Sequence, residues 1–206
     1  LIYTKLLYKQ LNSPDLSIAK RDSMLKHLRL IENETKRCGD IVKSLLDFSR
    51  KDQDDFEPRH LHQILQDTFD LMIHPIHIAN IHFESDFSAK ADLIQCSPNQ
   101  IKQACVALLV NASEATVENG EILIKTRNPD EDSIMFEISD NGLGIAPEDI
   151  GHIFEPFFST KQNASGIGLG LAIVHGIVQN HKGKIQVKSV VGKGTTISIS
   201  IPLIKN

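Results

Sequence analysis

The sequence lacks a surplus of positive charge, a membrane-length apolar run and any paired cysteines. Lys and Arg number 22 against 26 Asp and Glu, for a net charge of −4. A protein that grips a nucleic-acid duplex needs an excess of Lys and Arg on one face, so nucleic acid is not the expected partner. The apolar stretch Ala104 to Val110 falls far short of the roughly 20 residues a bilayer span requires, so no membrane contact is expected. No signal peptide opens the chain, and its first residue is Leu, not Met, which predicts a piece of a longer protein. Cys38, Cys96 and Cys105 show no Cys-x-x-Cys spacing and read as reduced, structural thiols of a cytoplasmic protein. The 9 His residues are scattered, and no Cys or carboxylate set completes a metal site around the His60/His62 or His74/His77 pairs.

What is present is enough for a core. Hydrophobic residues make up 41% of 206 positions, which fits one large domain or two small ones. Two rhythms divide the chain. Up to about residue 52 the only Gly is Gly39 and the only Pro is Pro14, inside the turn signal Asn12-Ser13-Pro14-Asp15. Leu1 to Leu11 carries apolar residues at helical spacing. A longer helix is predicted to run to about Arg50, with the stripe Leu28, Ile31, Cys38, Ile41, Leu45 and Phe48 on one face. Two helices cannot bury so long a stripe alone. Pairing with a second copy into a four-helix bundle is one solution, and packing onto the rest of the same chain is the other.

Lys51 to Pro58 is polar and reads as a linker. After it, a helix is predicted over about Leu61 to Met72, with short strands at Ile78 to Phe83 and Leu93 to Cys96. Ser97-Pro98-Asn99-Gln100 signals a helix start: Ser caps, Pro takes the first helical position, and Gln100 completes a capping box. That helix should reach about Val117. Glu121 to Arg127 and Ile134 to Asp140 read as strands, Leu169 to about Asn180 as a helix, and Lys184 to Val190 with Thr195 to Ile201 as a closing hairpin. This order of helices and mostly antiparallel strands predicts an α+β sandwich.

Two glycine clusters carry the chemistry. Asp140-Asn141-Gly142-Leu143-Gly144 comes directly off a strand, and Gly166-Ile167-Gly168-Leu169-Gly170 opens a helix. Glycines admit close backbone approach, and a helix N-terminus offers free N–H groups to phosphate oxygens. Neither cluster is a dinucleotide fingerprint, because the third glycine would fall at Pro147 or Leu171. Nor is Gly192-Lys193-Gly194-Thr195 a P-loop, since Gly follows the Lys. A tight turn would explain any one cluster alone. Two clusters, a helical Asn and a C-terminal Gly-x-Gly-Thr together need more.

Taken together, these stretches resemble the sensor histidine kinases, whose ATP-binding domain shares a superfamily with gyrase B, Hsp90 and MutL. Gln103 to Ala112 resembles the N box, Asp140-x-Gly142-x-Gly144-Ile145 the first glycine box, Ile153 to Lys161 the F box in its nitrogen-regulation-kinase form, Gly166 to Val174 the second glycine box, and Gly192-x-Gly194-Thr195 the third. Arg37 to Arg50 resembles the end of the family's dimerisation hairpin. The resemblance implies a helical hairpin over residues 1–52, half of a dimeric four-helix bundle. It implies an α/β sandwich of the Bergerat type over 53–206. The implied cofactors are ATP and Mg²⁺. Asp140 would accept a hydrogen bond from the adenine amino group, and Asn111 would ligate the metal. Lys161 would be carried to the phosphates by a lid, unless it is an ordinary solvated loop lysine. Gly166, Gly168, Leu169 and Gly170 would form the lid hinge and phosphate contact. Gly142, Gly144 and Ile145 of the first glycine box, and Glu114 and Ala115 after Asn111, would also belong to the cofactor-binding set. Thr195 would support Asp140 through its hydroxyl or a water, or be a plain strand Thr. Implied partners are a second copy through residues 1–50 and a response-regulator receiver domain, in the cytoplasm, with membrane attachment of the whole protein left open.

Departures from the family pattern shape the reading. One turn before Asn111, where the family commonly has Asn and the superfamily's hydrolases have Glu, this chain has Ala107. After Asn111 it has Glu114 and Ala115 in place of the frequent Lys and Tyr. Glu114 shares a helix face with Asn111 and would reach the metal shell or form a surface ion pair. No His-Glu/Asp-x-x-Asn/Thr-Pro acceptor stretch is present, so the phosphoacceptor His is expected upstream of Leu1. The expected activity is that of a protein histidine kinase. An ATP-binding sensor module without phosphotransfer is the alternative, and a gyrase-type dimer switch is disfavoured by Ala107.

Overall fold

A computed structural model describes residues 22–29, 31, 55–78, 80–160 and 168–205, with the side chains of 74–78 outside the description. The chain divides into two units, Leu1–Lys51 and Asp52–Asn206. In the first, residues 22–29 are helical; Met24 is buried, while Leu25 and Leu28 are exposed. The expected first helix, and the stripe from Cys38 to Phe48, lie outside the described residues.

The second unit runs β1 (Glu57–His60), α1 (Leu61–Ile78), β2 (His82–Phe87), β3 (Leu93–Cys96), α2 (Pro98–Ala115), β4 (Glu121–Arg127), β5 (Ser133–Asp140), α3 (Gly170–Asn180), β6 (Lys184–Val190) and β7 (Gly194–Pro202). The main sheet has five strands in the order β2-β4-β5-β7-β6. β2 runs parallel to β4, and the other neighbours are antiparallel. Strict alternation builds it: Ile134, Phe136 and Ile138 on β5 and Ile197, Ile199 and Ile201 on β7 point into one core. Their neighbours face the other way and bond across the strands, Ser139 to Thr196 at 2.9 Å and Ser198 to Glu137 at 2.8 Å.

The helices cover the apolar face. Ile101, Ala104, Cys105, Leu108, Leu109 and Ala112 of α2 are buried at spacings of three and one, one stripe of an amphipathic helix. Each fully buried Leu, Ile or Phe in this layer contributes roughly 1.5–3 kcal/mol. Phe69 of α1 stacks on Phe83 of β2, centroids 4.3 Å apart. Cys96 and Cys105 are buried free thiols, and burial pushes them up to about 11 and about 12.

The α+β sandwich expected from the sequence is the fold observed. Several boundaries differ. The supposed linker ends in strand β1, which pairs antiparallel with β3, Glu57 opposite Cys96. α1 continues past Met72 and through Pro75 to Ile78. Proline deprives the carbonyl of residue 71 of its helical partner, and Leu71 is 69% exposed, on a side where water is at hand. The following strand therefore starts later, at His82. Ser97 caps α2 as expected, its hydroxyl accepting from the Gln100 N–H at 3.3 Å. The reciprocal half of the capping box is not formed, because the Ser97 N–H donates to His181 Nε2 at 3.1 Å. Among the described residues no helix is long and apolar enough to cross a membrane.

Candidate nucleotide site

The last turn of α2 carries three of the sequence-predicted residues, Asn111, Glu114 and Ala115, and touches the first and second glycine boxes. Asn111 is half-buried there, and its Nδ2 lies 3.7 Å from where a Cβ on Gly170 would sit. One turn on, the Ala115 carbonyl accepts from the Leu143 N–H at 3.0 Å and lies against Gly142. So one helical turn holds the first glycine box at one end and the second at the other. α3 begins at Gly170 behind Leu169, which makes no side-chain cap bond. The Ile173 N–H bonds the Leu169 carbonyl at 3.0 Å, whereas the N–H groups of Gly170, Leu171 and Ala172 precede this first intrahelical donor, and Gly170 itself lies beside Asn111. An uncapped helix start beside an amide side chain is the donor set a metal-bound phosphate needs. Glu114 is exposed. Lys161 and Gly166 lie in 161–167, outside the described residues.

Asp140 ends β5, opposite Thr195 of β7. Its Oδ1 accepts from the Gly142 N–H at 2.9 Å and the Thr195 N–H at 3.3 Å. Thr195 therefore supports Asp140 through its backbone N–H. The hydroxyl expected for that role lies 2.9 Å from Ser189 Oγ instead. Ser189, on β6, was not singled out in the sequence. It accepts from the Ile145 N–H at 2.8 Å and donates to the Gly194 carbonyl at 3.1 Å, tying the first and third glycine boxes together. Nothing local in the sequence signals this, since the partners are drawn from separate strands and turns.

The glycines have a structural reason besides any ligand. A Cβ on Gly194 would stand 1.9 Å from the Asp140 carbonyl oxygen, and the residue has φ +107°. Only glycine fits without moving β5. Gly194→Ala is expected to destabilise the domain by about 3 kcal/mol or more, combining backbone strain with displacement of the strand end. Thermal or urea unfolding measures it, and a change below about 1 kcal/mol would mean the hairpin shifts freely. Gly168 plays the matching role at the second box: at φ +72° its Cβ would meet the Phe158 carbonyl at 2.5 Å, while its own carbonyl accepts from the Phe157 N–H at 2.9 Å. The F box is thus fastened to the entry of α3. Phe154 of the same box packs on His175 of α3, ring centroids 5.3 Å apart.

The helical Asn111, the strand-end Asp140 and the described parts of the three glycine segments thus gather at one end of the sheet, where β5 stops and β7 starts. The chain belongs to the family of histidine kinase-, DNA gyrase B- and HSP90-like ATPases, whose profile matches residues 96–205. It is 32% identical over 180 residues to sporulation kinase E of Bacillus subtilis (strain 168), an alignment covering 87% of this chain and 24% of that kinase. The chain thus spans about a quarter of that relative's length. The catalytic domain of histidine kinase ThkA superposes with a TM-score of 0.65 at 30% identity, over 72% of this chain and 95% of that one. A structure of ThkA in complex with the response regulator TrrA gives a TM-score of 0.74 at 25% identity, over 98% of this chain and 57% of that one.

Proposed function

We propose that residues 53–206 bind Mg-ATP and that the whole protein is a cytoplasmic sensor histidine kinase. In this reading the γ-phosphoryl passes to a His and then to a receiver-domain Asp of a response regulator. The observation that carries it is the single turn of α2 that sets Asn111 beside the uncapped start of α3 and Ala115 beside the Asp140–Gly142 segment. Phosphate and adenine ends of one nucleotide would be read from the two ends of that turn. Asn111 would hold the metal through its amide oxygen, and the α3 N–H groups would meet phosphate oxygens. Bound Mg²⁺ supplies charge neutralisation at the β- and γ-phosphates. The Asp140 carboxylate would accept from the adenine amino group, with Ile145 and the Gly142–Gly144 segment against the base. Lys161 and Gly166 are assigned to a lid. The ThkA–TrrA complex supports a receiver domain as partner, and a dimer through residues 1–50 completes the assignment.

Phosphoryl transfer asks a protein mainly for positioning and charge stabilisation, which suits a site without a nucleophile. Ala107 offers no base to activate water, and its side chain packs on the core cluster; this favours transfer over gyrase-like hydrolysis. The same residue keeps an ATP-sensing module without transfer as the second reading. A trans assay with an acceptor-bearing hairpin separates the two. The metal role is tested by Asn111→Ala. Affinity for Mg-nucleotide is expected to fall tenfold to hundredfold, about 1.5–3 kcal/mol, while metal-free affinity changes little. Calorimetric titrations with and without Mg²⁺ that weaken equally would make Asn111 structural.

A further inference from the structure

His181 was one of the scattered histidines in the sequence, yet in the fold it is 4% exposed and bonded at both ring nitrogens. Nε2 accepts from the Ser97 N–H at 3.1 Å, at the start of α2. Nδ1 lies 2.7 Å from the Ile177 carbonyl, in the last turn of α3, and donates to it. A backbone N–H on one side and a carbonyl on the other fix the tautomer: Nδ1 carries the proton and Nε2 the lone pair. α2 bears Asn111 and α3 bears Gly170 at its other end. One imidazole therefore ties together the two helices that make the phosphate end of the site.

We propose that His181 is a positioning residue for the nucleotide site, fastening α2 to α3 only as the neutral imidazole and thereby holding Asn111 against the N-terminus of α3. This rests on the nucleotide-binding reading above. A second observation makes the tie separable from folding. Gln100 Oε1 is buried and has no hydrogen-bond partner among the described residues. It is the acceptor that the Ser97–Gln100 capping pattern would offer to the Ser97 N–H. Two acceptors thus stand for one N–H, and His181 holds it. An imidazolium cannot accept. On protonation the Ser97 N–H passes to Gln100 Oε1, so α2 keeps its cap and loses its tie to α3.

The surroundings favour the neutral form. Burial holds the His181 pKa below the ordinary imidazole value, against the opposing pull of its bond to Ile177. Phe56, just before β1, covers the ring with centroids 4.7 Å apart. Next to Ser97, the Cys96 thiol is pushed up to about 11 and stays uncharged; Glu57 and Arg59 of β1 act on it with opposite signs. Exposed Lys182 follows His181 in the chain. No charged group enters among the causes that shift His181 itself. The folded-state pKa being depressed, the contribution to stability is complete above the unfolded value near 6.5 and is lost as pH falls below it.

The test is calorimetric affinity for a Mg-bound ATP analogue between about pH 5 and 8, with unfolding followed in parallel. In the unsubstituted chain, affinity falls on the acid side. H181F keeps an aromatic ring but neither bond; roughly tenfold weaker binding at neutral pH is expected, with only the acid-side fall that titration of the analogue's terminal phosphate gives every variant. H181Q keeps an acceptor without titrating, so it shows the same residual fall at intermediate affinity. Q100L removes the alternative acceptor and steepens the acid-side loss. Equal affinity of H181F and the unsubstituted chain, or an acid-side fall in H181Q as steep as in the unsubstituted chain, overturns the proposal while nucleotide binding stands. An unsubstituted chain that binds no nucleotide at neutral pH overturns the nucleotide reading and this proposal with it. Should H181F not fold, the H181Q profile decides.

Discussion

Replacing Asp140 by Asn is expected to leave the domain folded and weaken ATP binding tenfold to hundredfold. The carboxylate has two separable jobs. Oδ1 faces inward and accepts from the Gly142 and Thr195 N–H groups, which joins the first and third glycine boxes. An amide oxygen takes over that duty, at some cost because the acceptor is no longer charged. The proposed second job is to accept from the adenine amino group. An Asn whose oxygen serves the backbone turns its NH₂ toward that amine, donor against donor. Loss of a hydrogen bond to a charged group is worth about 1.5–3 kcal/mol, which converts to the stated fold-change. Calorimetry with ATP, alongside a melting curve, reads both jobs at once. Unchanged affinity at an unchanged melting temperature removes Asp140 from the pocket. A melting temperature that collapses together with affinity makes the backbone role the dominant one.

The parts of this fold that the sequence made legible are those built from local periodicity. Strands β5 and β7, helix α2 and its Ser97-Pro98 start each depend on residues within a few positions of one another, and each is found close to where expected. What escaped depends on distant partners. β1 is a strand only because Cys96 and its neighbours lie alongside it. The Gln100 half of the capping box is a sound local expectation that loses to an imidazole from 84 residues away. The glycine boxes were visible as motifs, but part of their cause was not. Gly194 lies against the Asp140 carbonyl, a contact between paired strands that no local spacing reveals. Thr195 shows the same limit, since a hydroxyl beside an Asp in register invites a side-chain bond, and Ser189 claims it.

Incubated with γ-labelled ATP, the 206-residue chain is expected to bind nucleotide and take up no acid-labile phosphate. Transfer needs an acceptor nitrogen in line with the γ-phosphate and close to it. Histidine is the family's acceptor, and its surrounding pattern includes a carboxylate that orients the imidazole and takes its proton. None of the 9 His residues here has that pattern. His27 is the candidate in the helical segment 22–29, where it is half-buried with Lys26 and Leu28 as its neighbours. His175 packs on Phe154 in the F-box contact, and His181 has both nitrogens bonded in the α2–α3 tie. His60 and His62, on β1 and α1, share the Asp92 carboxylate. A longer chain that carries the family's acceptor stretch before residue 1 is expected to label under the same conditions, and to pass the label to a receiver domain. Acid-labile label on the 206-residue chain that disappears in H27Q would make His27 the acceptor. Label that survives H27Q would place the acceptor within the nucleotide domain and refute the proposed route of transfer.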